Sequence, residues 1–416
     1  MRIKTDSFPW LPLTALLLTL SLSGCVRMTL AWAPDKPRGL EAEPAIAAES
    51  VAAWEAKKPE IRATLETEIY GRMPDDARVE LISHKVIDEA AFDGIGVYEE
   101  FDVRVTPVFD GGPASPPSPL MIAVLSPQGE GPFPVIMTET FCPSWAALPH
   151  PQASAPEDRE SGEAPGIITY VFGRYICTPP LEMIMEAGFA LAVVNSTQVV
   201  PDSGDAGLAA LDRLAPGMVG EDDRWGAIGA WGWVFSRMVD VLGAEERFDE
   251  DRLIAYGHSR YGKAALVAGA FDERIAGVIA HQSGTGGASL NRQKVGESVG
   301  SITKNYPHWF APRYAAFAGE EERLTYDQHH LIALVAPRPV LLGNARRDVW
   351  SDPNGGFKAA QGAEPVYRLY GEGPITLERL DAYQPQHPLS FWMRPGTHGV
   401  VEEDWPAFLE FLEAHF

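Results

Sequence analysis

Serine attack on an ester needs a base to take the hydroxyl proton, an acid to hold that base, and donors for the oxygen that turns negative. The stretch "GHSRYGK", residues 257–263, offers the serine. Ser259 stands between Gly257 and Gly262 as a nucleophile does at a sharp strand-to-helix turn, but the G-x-S-x-G spacing is stretched by one and Arg260 follows directly. Alone, GxSxxG is a weak signal, because a serine capping a helix gives the same string. In the α/β-hydrolase order the acid and then the histidine follow the serine along the chain. His398, in "RPGTHGVVEEDW" after the last strand and before a C-terminal helix, is where the base belongs. The chain has ten histidines, so other roles must be weighed. His258, inside the elbow, reads as structural, His281 in an apolar strand as a satisfied core residue, and His329 and His330 as caps or packing. No HExxH or similar ligand spacing occurs, which disfavours a metal.

These residues need elements to present them. Helical patterning begins near 51–68, and strand-type runs follow at 79–87, 97–108, 119–126, 133–139 and 188–195. The first few lie close together, as in an antiparallel edge. The later ones alternate with helical patterns, which argues for βαβ units and a mainly parallel sheet. Residues 224–243 set Trp225, Ile228, Trp231, Phe235, Met238 and Leu242 on one stripe of a core-facing helix. "DRLIAYGHS", "IAGVIAHQS", "PRPVLLGNARRD" and "LSFWMRPGTH" are apolar strands ending in polar residues. Ser259, Asp348 and His398 fall at such strand ends, where an open α/β sheet binds its ligands. Two Pro- and Gly-rich stretches, 109–118 and 143–166, read as long surface loops, with the acidic "EDRESGE" a solvated face.

The 416 residues are 45% hydrophobic and 22% charged, enough for a large core without staples. With 34 basic against 57 acidic side chains the net charge is -23, which argues against nucleic acid or an anionic membrane surface as partner. Two early cations, an apolar run from Trp10 to Leu22 and then small residues form a secretory signal over 1–24, its apolar run too short to span a membrane. "LSGC" resembles a bacterial lipobox, predicting lipidation of Cys25, a tether over 25–45 and an exported, periplasmic or outer-membrane-anchored lipoprotein, otherwise a secreted protein. Residues 46–416 then form a single α/β domain. Cys142 and Cys177 remain, and an even pair in an oxidising compartment favours a disulfide, with two buried free thiols as the alternative.

Several ordered motifs together resemble the glucuronoyl esterases, carbohydrate esterase family fifteen, from about Tyr70 to Trp405. They are "GHSRYGKAAL", "SGTGGASLNR", "VGES", "LIALVAPRPVLLGNARRDVWSDPNG" and "GTHG" followed by "DW". The resemblance implies an α/β-hydrolase fold, a three-layer sandwich around a mostly parallel sheet. It implies a cofactor-free and metal-free esterase that cleaves the ester between 4-O-methylglucuronic acid of glucuronoxylan and a lignin alcohol. By it Ser259 is the nucleophile, His398 the base and Arg260 the oxyanion residue, through its backbone N–H and guanidinium, in place of a surface ion pair. Lys263, Glu297 and Trp350 match residues that hold the sugar, where the structural alternatives are a solvated helix residue, a cap and a packing aromatic. The acid departs from the pattern: many members have glutamate where this chain has Gln282, and others use the loop that here carries Asp348, with Asp352 behind it. Asp348 is the expected acid. The expected protein is a monomer acting on a lignin-carbohydrate ester. Its rivals are an acetylxylan or other carbohydrate esterase of the same fold, and a polysaccharide-binding lipoprotein without turnover.

Overall fold

The computed structural model describes residues 42–155, 166–292, 295–373, 380 and 382–416. The expected signal segment 1–24, Cys25, most of the expected 25–45 tether and the acidic run 157–163 lie outside the described residues.

Nine strands form one sheet: β1 Asp76–Ala90, β2 Gly96–Val108, β3 Ser118–Pro127, β4 Phe133–Glu139, β5 Ala190–Val194, β6 Phe248–His258, β7 Gly277–His281, β8 Val340–Ala345 and β9 Leu389–Arg394. Their order is β1-β2-β3-β5-β4-β6-β7-β8-β9. The pairings β1–β2, β2–β3 and β3–β5 are antiparallel, and the rest, from β5–β4 to β8–β9, are parallel. The antiparallel edge and parallel centre match the expected α/β architecture. The strand period of two sends alternate side chains to opposite faces. Val135 and Met137 accordingly join one apolar cluster while Ile136 joins the other, and Ala280 and Ile279 divide in the same way.

Six helices matter most for the site: α1 Val51–Leu65, α2 Gly166–Phe172, α3 Ala227–Leu242, α4 Arg260–Phe271, α5 Pro353–Leu369 and α6 Asp404–His415. The single stripe expected over 224–243 is too narrow. In α3 every residue but Asp240 is buried, including Ala230, Trp233 and Val234 off the stripe. The physical reason is that α3 lies beneath α4 at close range: Gly232 has no side chain where a Cβ would come 3.0 Å from Val267 Cγ1 and 3.1 Å from the Ala264 carbonyl. A helix covered on nearly all sides keeps few polar residues, here Ser236 and the Arg237–Asp240 pair at 2.7 Å. The 143–166 stretch also holds a short helix, Ser144–Ala147. Among the described residues no helix is long and apolar enough to cross a membrane.

The turn from β6 into α4 is tight. A Cβ on Gly257 would run into the Tyr261 carbonyl, and one on Gly262 would sit 2.9 Å from both the Gly257 and His281 carbonyl oxygens. These two glycines let the strand fold back over the first turn of α4. Gly257→Ala is therefore expected to destabilise the protein by about 3 kcal/mol, the scale of an overpacked core. Denaturant unfolding checks this, and a midpoint equal to wild type would refute the steric account.

Candidate active site

Ser259 has φ 57° and ψ -121°, a left-handed conformation that a residue with a Cβ adopts only when its surroundings enforce it. The enforcement is visible in its backbone N–H, which donates to the His281 carbonyl at 2.8 Å, while its own carbonyl accepts from Lys263 N to start α4. Ser259 thus sits at the carboxyl end of β6 and at the amino end of α4.

His398 follows β9, and Asp348 follows β8. The structure brings them together: His398 Nδ1 lies 2.7 Å from Asp348 Oδ2, with the carboxylate buried. Asp348 also accepts from the Ser351 hydroxyl at 2.6 Å and from Ser351 N at 3.3 Å. Asp352 is engaged elsewhere, capping α5 by accepting from Gly355 N at 3.1 Å. Ser259 and His398 line the same cleft, about 230 Å³, with Arg260, Lys263, Glu297 and Trp350.

Arg260 lies between two rings, its guanidinium carbon 5.1 Å from the Phe141 centroid and 5.4 Å from that of Trp309. It does form an ion pair, not with an exposed surface carboxylate but with Asp202, whose side chain is mostly buried, while Arg260 itself lines the cleft. Asp202 also accepts from His308 Nε2 at 3.0 Å and from Trp309 Nε1 at 2.8 Å. Burial, then the charges of Arg260 and Arg224, push His308 down to about 4, so it donates as a neutral imidazole. Lys263 is no solvated helix residue: it is buried, donates from Nζ to the Ser283 carbonyl and lies 5.9 Å from the Trp309 centroid. Glu297 does not cap the helix that follows it, since Ser298 does. Trp350 is not packed away but 47% exposed at the cleft wall.

A second, apolar cleft of about 240 Å³ meets the first at Ser259, Arg260 and His398. Phe141, Ile168, Phe172 and Ile176 line it, together with Cys142 and Cys177, which are joined in a disulfide. Of the remaining histidines, His258 and His281 are buried with their Nδ1 atoms 3.2 Å apart. Burial and the neighbouring His398 charge hold His258 well below its ordinary value. His329 contacts the Pro44 carbonyl at 2.7 Å and His330 packs on Tyr326, 4.6 Å between ring centroids. Among the described residues no group of three or more His, Cys, Asp or Glu could hold a metal ion.

Sequence reasoning missed Asp202, Phe141, Phe172, Trp309 and Ser351. "VVPDSG" and "YPHWF" carry no spacing that ties them to the serine; "TFCP" drew notice only for its cysteine, and "DVWSDP" only for its aspartates and Trp350.

Known proteins resemble this chain. A family model described as glucuronyl esterase, fungi, matches residues 152–371. Carbohydrate esterase MZ0003, from an unknown prokaryotic organism, is 37% identical over 239 residues, 56% of this chain and 55% of its own. A 4-O-methyl-glucuronoyl methylesterase of Phanerochaete carnosa is 35% identical over 154 residues, 35% of this chain and 38% of that one. The matches therefore span about half or less of these relatives' lengths. The solved structure of a promiscuous CE15 esterase from a marine bacterial metagenome superposes with a TM-score of 0.75 at 29% identity, covering 92% of this chain and 98% of the other. That likeness makes the fold an α/β-hydrolase.

Burial by itself would raise the Asp348 carboxyl, but the His398 charge and hydrogen bond, with those of Ser351, outweigh it and hold the group below its ordinary 3.8. A depressed folded-state value contributes stability above the unfolded value and loses it as pH falls through the folded one. Unfolding free energy measured from pH 6 to pH 2 should therefore fall more steeply for wild type than for Asp348→Asn, and equal slopes would contradict this account.

Proposed function

Because the chain belongs to the glucuronoyl esterase family, we propose that it is a serine esterase that hydrolyses the ester between 4-O-methyl-D-glucuronic acid of glucuronoxylan and a lignin alcohol. The observation that carries the reading is the buried His398–Asp348 pair at the carboxyl ends of β9 and β8, in one cleft with Ser259 on its strained turn. With Nδ1 committed to Asp348, the imidazole has Nε2 left to serve as base.

In the first step His398 Nε2 takes the Ser259 proton while Oγ bonds to the uronate carbonyl carbon, and the carbonyl electron pair moves to oxygen. The Arg260 backbone N–H at the start of α4 and its guanidinium stabilise that oxyanion. Collapse breaks the bond to the alcohol oxygen, which leaves with the proton from His398. Water, deprotonated by His398, then hydrolyses the glucuronoyl-serine ester, and Ser259 leaves with that proton.

The two clefts divide the substrate. Lys263, Glu297 and Trp350 suit a hydroxylated sugar ring, offering a donor, an acceptor and an indole face. Phe141, Ile168, Phe172 and Ile176 suit an apolar alcohol on the other side of the scissile bond. On this reading residues 46–416 form one catalytic domain without cofactor, working as a monomer. Export through the 1–24 signal and lipidation at Cys25 complete the proposal.

Purified protein is expected to hydrolyse benzyl and methyl glucuronates faster than an acetyl ester, and the opposite preference would favour the acetylxylan reading. Ser259→Ala and His398→Ala should abolish turnover. Asp348→Asn, which leaves the imidazole in the wrong tautomer, should lower kcat by roughly 10⁴-fold, and Arg260→Ala by roughly 10²- to 10³-fold. Full activity in either Ser259 or His398 variant, by steady-state assay, ends the proposal.

A further inference from the structure

Gln282 stands where a second carboxylate would have been unremarkable, and its contacts give the amide a use of its own. It follows the last residue of β7, is 1% exposed, and has φ 49°. That strained backbone is fixed from two sides: its N–H donates to the Gly343 carbonyl at 2.7 Å, and the Ser351 hydroxyl lies 3.0 Å from its carbonyl. The side chain therefore leaves the sheet in one direction, toward the loop that carries His398. Its Oε1 accepts from Gly399 N at 2.8 Å, and its Nε2 reaches the Thr397 carbonyl at 3.5 Å. An N–H can only donate and a carbonyl can only accept, so these partners settle which way the amide lies. The two contacts bracket His398 in the chain.

We infer that Gln282 is a positioning residue for His398: it grips the backbone on both sides of the histidine and so holds the imidazole in register with Asp348 and Ser259. The inference rests on His398 being the base toward Ser259. Asp348 fixes the ring's rotation through Nδ1, and the His258 ring, 4.6 Å away between centroids, packs against it. Neither holds the backbone of the loop. Arg394 does so one step further on, donating to the Gly399 carbonyl at 2.7 Å, which leaves the Gly399 N–H and the Thr397 carbonyl to Gln282. The glutamine thus takes the place of a carboxylate without taking over its chemistry, since Asp348 supplies the charge and the amide supplies geometry.

The test measures the rate at which a fluorophosphonate captures Ser259, together with kcat and KM for methyl glucuronate, in wild type, Gln282→Ala and Gln282→Glu. Displacing a catalytic group by about 1 Å costs on the order of 100-fold, so Gln282→Ala should slow both capture and kcat by roughly 10- to 100-fold with KM little changed. Gln282→Glu keeps an acceptor for Gly399 N and should recover part of that loss. A Gln282→Ala protein with wild-type capture and kcat overturns the inference, as does a Gln282→Glu protein no faster than the alanine variant. Thermal unfolding of each variant separates a lost fold from a misplaced histidine, and if the alanine protein does not fold the glutamate variant alone decides, wild-type capture by it counting against the amide's role. Wild-type protein that is captured yet leaves the uronate ester intact would refute the substrate assignment while the capture rates still judge Gln282. Wild-type protein that resists capture would remove the base-and-nucleophile reading and this inference with it.

Discussion

The left-handed backbone of Ser259 is the constraint on which the site depends. Such a conformation costs on the order of 1–3 kcal/mol at a residue bearing a Cβ and survives only where neighbours over-determine it. Here they do so through the sheet: β6 and β7 pair in parallel as far as His258 and His281, and the His281 carbonyl then takes the Ser259 N–H at 2.8 Å. Two glycines remove the side chains that would keep β6 from turning back onto α4. The buried β7 strand thus holds the elbow, and a hydroxyl at the end of a rigid strand needs no loop to aim it.

The other half of the site is built on a loop and needs anchors. Residues between β9 and α6 are tied from beneath by a buried ion pair, with Arg394 Nε donating to Asp404 Oδ1 at 2.8 Å. Asp404 Oδ2 accepts from Val401 N at 2.9 Å, while Arg394 Nη2 donates to the Gly399 carbonyl. Loss of one member of a buried pair leaves the other charge unsolvated, which costs about 3–5 kcal/mol, so neither Arg394 nor Asp404 can be removed alone without disturbing the loop. Asp348, Gln282 and His258 then act on a segment already restrained, from three different strands or their ends.

Asp202 does similar work at the start of α4. Its two oxygens gather Arg260, His308 and Trp309, joining the first turn of α4 to the 306–310 segment. Three donors to one carboxylate satisfy a charge that is mostly out of water. The Arg260 guanidinium is held between Phe141 and Trp309 with its charge balanced, so the cleft contains a cation without an uncompensated buried charge.

The α/β class, the antiparallel edge, the parallel centre and the strand-end positions of Ser259, Asp348 and His398 were legible in the sequence, because hydrophobic period and chain order are local properties. The chain-wide motifs likewise carried the family. Periodicity misjudged α3, since burial on all sides depends on what covers the outer face and not on the helix itself. The bond between Asp348 and His398, residues 50 apart in the chain, arises only because β8 and β9 are neighbours in parallel register. Gln282 reads in sequence as an acid that is missing, while the fold shows its amide meeting backbone groups 115 and 117 residues away. Residue types and their order along the chain determined which chemistry was available. Which donor met which acceptor was decided by the tertiary structure alone, because a hydrogen bond requires atoms within about 3 Å and sequence spacing does not set that distance between separate strands.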